Sequence, residues 1–109
     1  MQKDERILLE ILEVIGQRKA ADPATSYTAR LYAKGIHKLA QKVGEEAVET
    51  AVAAVAESDQ RLARESADLL YHLLILWHAK GLSPAEVWAE MDKRFGTSGT
   101  AIKEIRKKG

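Results

Sequence analysis

The chain has 109 residues, with 17 Lys and Arg against 16 Asp and Glu for a net charge of +1, so no global basicity marks it for nucleic acid and no specific nucleic-acid partner is expected. Cysteine is absent, which removes disulfides, thiolate metal ligands and thiol nucleophiles together and leaves oxygen and imidazole to hold any metal. The longest mostly apolar run, residues 69–77, contains His72 and is far short of the about 20 residues that span a bilayer, and residues 1–6 open without an apolar signal segment, so the expectation is one cytoplasmic domain with no membrane partner.

Ala, Leu, Glu and Lys dominate and only two Pro occur, which favours helix along nearly the whole chain. A first helix over about residues 3–20 repeats Leu8, Ile11, Leu12 and Ile15 at the spacing of one buried face. Asp22-Pro23 marks a turn, a short helix spans about 27–34, and Gly35 separates it from a long helix over about 36–57. Ser58-Asp59 starts the next, over about 59–79, and Lys80-Gly81 stops it. Ser83 as N-cap with Pro84 at N1 opens a helix over about 84–95, carrying Val87 and Met91 at i, i+4, and Gly96-Thr97-Ser98-Gly99 reads as a loop before a basic tail at about 100–109. No stretch alternates long enough to suggest a strand and no repeat is visible, so the fold class is all-α, a small bundle of four to five helices.

Charge is segregated. Residues 23–44 hold no acid but Arg30, Lys34, Lys38 and Lys42, each four apart; residues 45–68 hold Glu45, Glu46, Glu49, Glu57, Asp59, Glu65 and Asp68 against Arg61 and Arg64; residues 93–108 are basic again. A charge stripe usually means a solvated helix face. On the long helix, however, Ile36, Leu39, Val43, Ala47 and Ala54 form one apolar arc and Val48, Val52 and Val55 a second, with Glu45, Glu46 and Glu49 in the gap. On the following helix Glu65, Asp68 and His72 share a face with Leu69, Ile75, Leu76 and Ala79. A short connection makes the two helices antiparallel neighbours, so Glu46-x-x-Glu49 and Glu65-x-x-Asp68 can face each other. Such a cluster repels itself unless a divalent cation neutralises it, and all-oxygen ligands select Mg²⁺, with Mn²⁺ as substitute. A ferritin-like di-iron site needs Glu-x-x-His, and a P-loop needs Gly-x-x-x-x-Gly-Lys-Ser/Thr; neither motif occurs.

Residues 42–49, Lys-Val-Gly-Glu-Glu-Ala-Val-Glu, followed by residues 65–72, Glu-Ser-Ala-Asp-Leu-Leu-Tyr-His, resemble the EExxE plus ExxD signature of the all-α, MazG-like nucleoside triphosphate pyrophosphohydrolases. Ser26-Tyr27-Thr28-Ala29-Arg30-Leu31, Lys34-Gly35, Lys38-Leu39-Ala40-Gln41-Lys42 and Arg94-Phe95-Gly96-Thr97-Ser98-Gly99 narrow the resemblance to the phosphoribosyl-ATP pyrophosphohydrolases of histidine biosynthesis, over about residues 4–100; the sequence departs at His37, where an acid is expected. The resemblance implies Mg²⁺-dependent hydrolysis of a small-molecule nucleotide, phosphoribosyl-ATP, between its α- and β-phosphates, by a homodimer. It assigns Glu46, Glu49, Glu65 and Asp68 as metal ligands and Glu45, Glu46 and Glu49 as the catalytic acids. Glu45 either completes a second metal site or orients the attacking water, the alternative being a structural salt bridge.

Tyr27, Thr28, Arg30, Lys34, Lys38, Lys42 and His72 are the candidate substrate contacts, the lysines preceding the acids on a helix that continues toward them. For Lys42 the competing reading is an i, i+4 pair with Glu46, for Tyr27 and Thr28 a capped, packed short helix, and for His72 a hydrogen-bonded core histidine. Trp77 and Trp88 read as core or dimer anchors. Two other functions compete: a house-cleaning MazG-like pyrophosphatase of noncanonical or deoxy nucleotides, and a non-catalytic helical interaction module using the Val48/Val52/Val55 arc.

Overall fold

The structure is a computed structural model that describes residues 3–96. Its elements are α1 (Ile7–Arg18), α2 (Tyr27–Lys34), α3 (Ile36–Ala56), α4 (Asp59–Lys80) and α5 (Pro84–Met91), closed by one π-helical turn at Asp92–Gly96. The described residues are helical with no strand, so the chain is an all-α bundle. No helix among them is long and apolar enough to cross a membrane. The loop at residues 97–99 and the basic tail lie outside the described residues.

The helix boundaries follow local hydrogen bonding. The first helix begins at Ile7, later than the periodicity predicts, because the Asp4 carboxylate accepts from the Arg6 backbone N–H at 3.0 Å and from its guanidinium at 2.7 Å, a local turn that competes with helix. Ser26 and Ser58 cap α2 and α4 by accepting from the N–H groups of Ala29 and Arg61. At α5 the Ser83 hydroxyl accepts from the Ala85 N–H while the Glu86 carboxylate accepts from the Ser83 N–H at 2.9 Å. Gly35 has φ of 91°, a conformation that side chains with a Cβ rarely adopt, and there α2 turns sharply into α3. That break leaves Lys34 at the end of α2 and Lys38 and Lys42 on α3, so the basic stripe spans two helices.

The core is small. Ile15 of α1, Leu31 of α2, Leu39 of α3 and Leu74 and Ile75 of α4 are buried together, with Leu8, Ile11, Leu12, Tyr32, Ile36 and Trp77 packed around them. The broadest packing is α3 along α4, an antiparallel hairpin turned at Glu57–Ser58, with α1 and α2 laid across one end. Gly16 marks the close approach of α1 to α4, since a Cβ there would sit 3.3 Å from His78 Nε2. Trp88 of α5 meets Trp77 edge-on, ring centroids 5.9 Å apart, but no residue of α5 is buried and Met91 is exposed, so the Val87/Met91 pair does not form a core face.

On α3 the buried line differs from the expected arc. Leu39, Glu46 and Ala53, seven apart, are buried, while Ala47 and Ala54 are exposed. Glu46 therefore stands in the seam between two apolar residues instead of in a gap beside it. The second arc is bare: Val48, Val52 and Val55 are exposed, Val55 by 87%. On α4 Glu65 and His72 are buried but Asp68 is exposed, which corrects its placement on the core face.

Removing side-chain volume from this small core should be costly. Ile75→Ala is expected to lower stability by about 2–5 kcal/mol in urea unfolding, whereas Met91→Ala should change it by less than about 0.5 kcal/mol.

Candidate active site

Glu49 and Glu65 stand nearly the same number of residues from the Glu57–Ser58 turn, so the antiparallel hairpin brings them face to face, and Glu46, one helical turn earlier on α3, joins them. One carboxylate oxygen from each of Glu46, Glu49 and Glu65 lies within 4.8 Å of the others. Glu46 and Glu65 are only 8% and 6% exposed. Two cations reach the group: Arg61 Nη2 is 3.2 Å from Glu65 Oε1, and Lys42 Nζ is 4.0 Å from Glu46 Oε1. They do not complete it. Glu46 Oε2 is buried with no hydrogen-bond partner, a condition that native proteins avoid for the great majority of buried polar atoms.

The electrostatics agree with that deficit. Burial, then the hydrogen bond and charge of Glu49, hold the Glu65 carboxyl above its ordinary value, with Asp68 adding to the effect and Arg61 opposing it. An all-carboxylate donor set containing an unpartnered buried oxygen fits a hard divalent cation, and nothing in the cluster offers the soft ligands that would favour zinc or copper. Asp68 does not join the three-glutamate group; it stands exposed at the rim, close enough for its charge to raise Glu65.

Around the cluster the remaining candidates separate. Glu45 is exposed and accepts from Gln41 Nε2 at 2.8 Å, with Lys42 Nζ at 3.8 Å. Lys38 is exposed one turn away, its Nζ 3.5 Å from Gln41 Oε1, and Lys34 is exposed at the end of α2. His72 is 5% exposed with both ring nitrogens engaged, Nε2 with the Tyr27 hydroxyl at 2.6 Å and Nδ1 with the Asp68 carbonyl at 2.7 Å. It holds Tyr27 in place and has no nitrogen left for a ligand. Thr28 is 1% exposed, its hydroxyl 2.6 Å from that of Tyr71. Arg30 donates to the Pro23 carbonyl at 3.0 Å and lies 5.9 Å from the centre of the Tyr27 ring. Thr28 and Arg30 thus build the wall that presents Tyr27.

Three features escaped sequence reasoning. Arg61 is an ion-pair partner of Glu65, an i, i+4 spacing that was available to read. The Thr28–Tyr71 and Tyr32–His78 pairs join α2 to α4 across more than forty positions, and no local pattern marks them.

An all-α bundle that draws carboxylates together on two antiparallel helices is consistent with the MazG-like hydrolases that the sequence resembles. The family model for phosphoribosyl-ATP pyrophosphohydrolase matches residues 8–95. Over 108 residues, 99% of each chain, the sequence is 56% identical to a phosphoribosyl-ATP pyrophosphatase of Paramagnetospirillum magneticum. It is 53% identical to one of Rhodospirillum rubrum, covering 94% of this chain and 87% of the relative, and 57% identical to one of Pyrobaculum calidifontis, covering 82% and 95%. The chain belongs to the phosphoribosyl-ATP pyrophosphohydrolase family, and it is an enzyme of the hydrolase class.

The raised Glu65 carboxyl makes a signed prediction for the protein in chelator. A folded-state value above the ordinary 4.5 means that the native state holds the proton more tightly, so this group's stabilisation is full below pH 4.5 and is lost as pH rises through the folded value. Glu65→Gln should therefore melt above wild type at neutral pH, with the gap closing toward pH 4.5. A gap independent of pH would contradict the assignment.

Proposed function

We propose that the chain hydrolyses phosphoribosyl-ATP between its α- and β-phosphates, giving phosphoribosyl-AMP and pyrophosphate, in the cytoplasm and in histidine biosynthesis. The observation that carries this reading is the buried, unpartnered Glu46 Oε2 inside the three-glutamate cluster, in a chain whose relatives are named for that substrate. Glu46, Glu49 and Glu65 would hold Mg²⁺, with Asp68 at the rim as a fourth ligand. Mg²⁺ there would supply charge neutralisation for the pyrophosphate leaving group and a more acidic bound water.

The chain's own groups do the rest. Lys42 and, one turn out, Lys38 give the polyphosphate a cationic approach along α3. Glu45, exposed and hydrogen-bonded by Gln41, would take a proton from the attacking water as the P–O bond to the leaving pyrophosphate breaks. Tyr27, backed by His72, flanks the cluster: its hydroxyl feels the charges of Lys42, Glu46 and Asp68. The house-cleaning alternative would use the same cluster and differ only in what surrounds the base and sugar; the relatives' names favour the phosphoribosyl substrate. We propose a homodimer as well: the Val48/Val52/Val55 arc, which one chain leaves bare, supports that reading.

Pyrophosphate release with Mg²⁺ from phosphoribosyl-ATP, ATP and a panel of dNTPs tests the substrate, and preference for a dNTP would move the chain to the house-cleaning class. Glu46→Gln and Glu49→Gln should each lower the rate at least about a hundredfold, because transition-state charge stabilisation by a metal is worth several kcal/mol. Full activity in either would sink the metal site. Light scattering should give twice the chain mass, and Val52→Asp should return the monomer.

A further inference from the structure

A cavity of about 410 Å³, with Tyr27 in its lining, is not used by the reaction as described. Its walls come from the end of α1, the loop before α2, the first turn of α2 and one side chain of α4: Arg18, Thr25, Ser26, Tyr27, Thr28 and Tyr71. Five of those six carry hydroxyls, one carries a guanidinium, and no acid lines the space. The volume falls within the about 300–1,000 Å³ of small-ligand sites.

The hydrogen-bond inventory separates structural groups from free ones. Thr28 and Tyr71 bond each other, Tyr27 bonds His72, and Thr25 donates to the Asp22 carbonyl at 3.3 Å. Ser26 accepts from the Ala29 N–H, which leaves its own O–H free to donate. Arg18 makes no ion pair or hydrogen bond among the described residues, whereas Arg6, Arg30 and Arg61 each have a partner. A guanidinium standing unpaired in the lining of a hydroxyl-rich, acid-free cavity is suited to a phosphate monoester, which it can grip through two parallel N–H donors.

We propose that this cavity receives the sugar-phosphate end of the substrate, with Arg18 as the ligand of a ribose phosphate monoester and Ser26 as its hydroxyl donor. The inference rests on the phosphoribosyl reading above and deepens it. Such a substrate carries phosphate at both ends, and Tyr27 lines the cavity while its hydroxyl feels the charges of Lys42, Glu46 and Asp68. Arg18 is then a specificity-determining residue, because ATP and the dNTPs lack the group that it would bind.

The test pairs binding with kinetics in wild type, Arg18→Gln and the neighbouring exposed control Lys19→Gln. Amide NMR titration with ribose 5-phosphate should shift residues 25–28 in wild type and Lys19→Gln and lose that response in Arg18→Gln; inorganic phosphate alone should bind more weakly. With phosphoribosyl-ATP, Arg18→Gln should raise KM and lower kcat/KM at least about tenfold, the cost of one charged hydrogen bond. Ribose 5-phosphate binding that is absent in wild type or unchanged in Arg18→Gln overturns the proposal, as does an unaltered KM in an active enzyme. Arg18-dependent binding in a chain that fails to hydrolyse phosphoribosyl-ATP would instead overturn the substrate reading and leave the sugar-phosphate site standing.

Discussion

The packing of α3 against α4 forces Glu46, Glu49 and Glu65 within 4.8 Å of one another, and the rest of the molecule is arranged around that repulsion. Helix α3 places Glu46 in its packing seam, on the line of Leu39 and Ala53, where a hydrocarbon side chain would serve stability better. Desolvating carboxylates with incomplete pairing opposes folding. The apolar contacts of Ile15, Leu31, Leu39, Leu74 and Ile75 at one end of the hairpin must hold the helices together despite it. Lys42 and Arg61 soften the repulsion without removing it, which keeps the site short of positive charge in the protein alone.

A second lattice fixes what approaches the cluster. Tyr27 reaches His72, Thr28 reaches Tyr71 and Tyr32 reaches His78, three side-chain pairs that lock the short helix α2 onto α4. The lattice continues into the active-site helix, since His72 Nδ1 bonds the backbone carbonyl of Asp68. Motion of α2 would therefore disturb both the Tyr27 wall and the acidic rim. An eight-residue helix has little intrinsic stability, and these long-range bonds, with the Ser26 cap and the buried Leu31, supply what its own backbone cannot.

Helix number and order were legible because Ser58, Ser83-Pro84, Gly35 and Gly81 each act through local backbone chemistry. The acidic cluster was legible for a similar reason: a helical period and a short turn suffice to bring Glu49 opposite Glu65. Positions that depend on where a helix touches its neighbour were not. The exposed Ala47 and Ala54 and the exposed Asp68 are such cases, each decided by a rotation of the helix that periodicity does not specify. The Arg18 cavity forms where three elements meet, so no segment of sequence carries its signature.

In the reading proposed above, the glutamate cluster is a charge-deficient site that a divalent cation completes. Calorimetric titration of Mg²⁺ into the metal-free protein, repeated at several pH values, tests it directly. The expected result is saturable binding that weakens as pH falls, because burial and Glu49 hold the Glu65 carboxyl above its ordinary value and protons compete there with the cation. Glu46→Gln should weaken that binding. The absence of Mg²⁺ binding, or binding indifferent to both pH and Glu46, would contradict it.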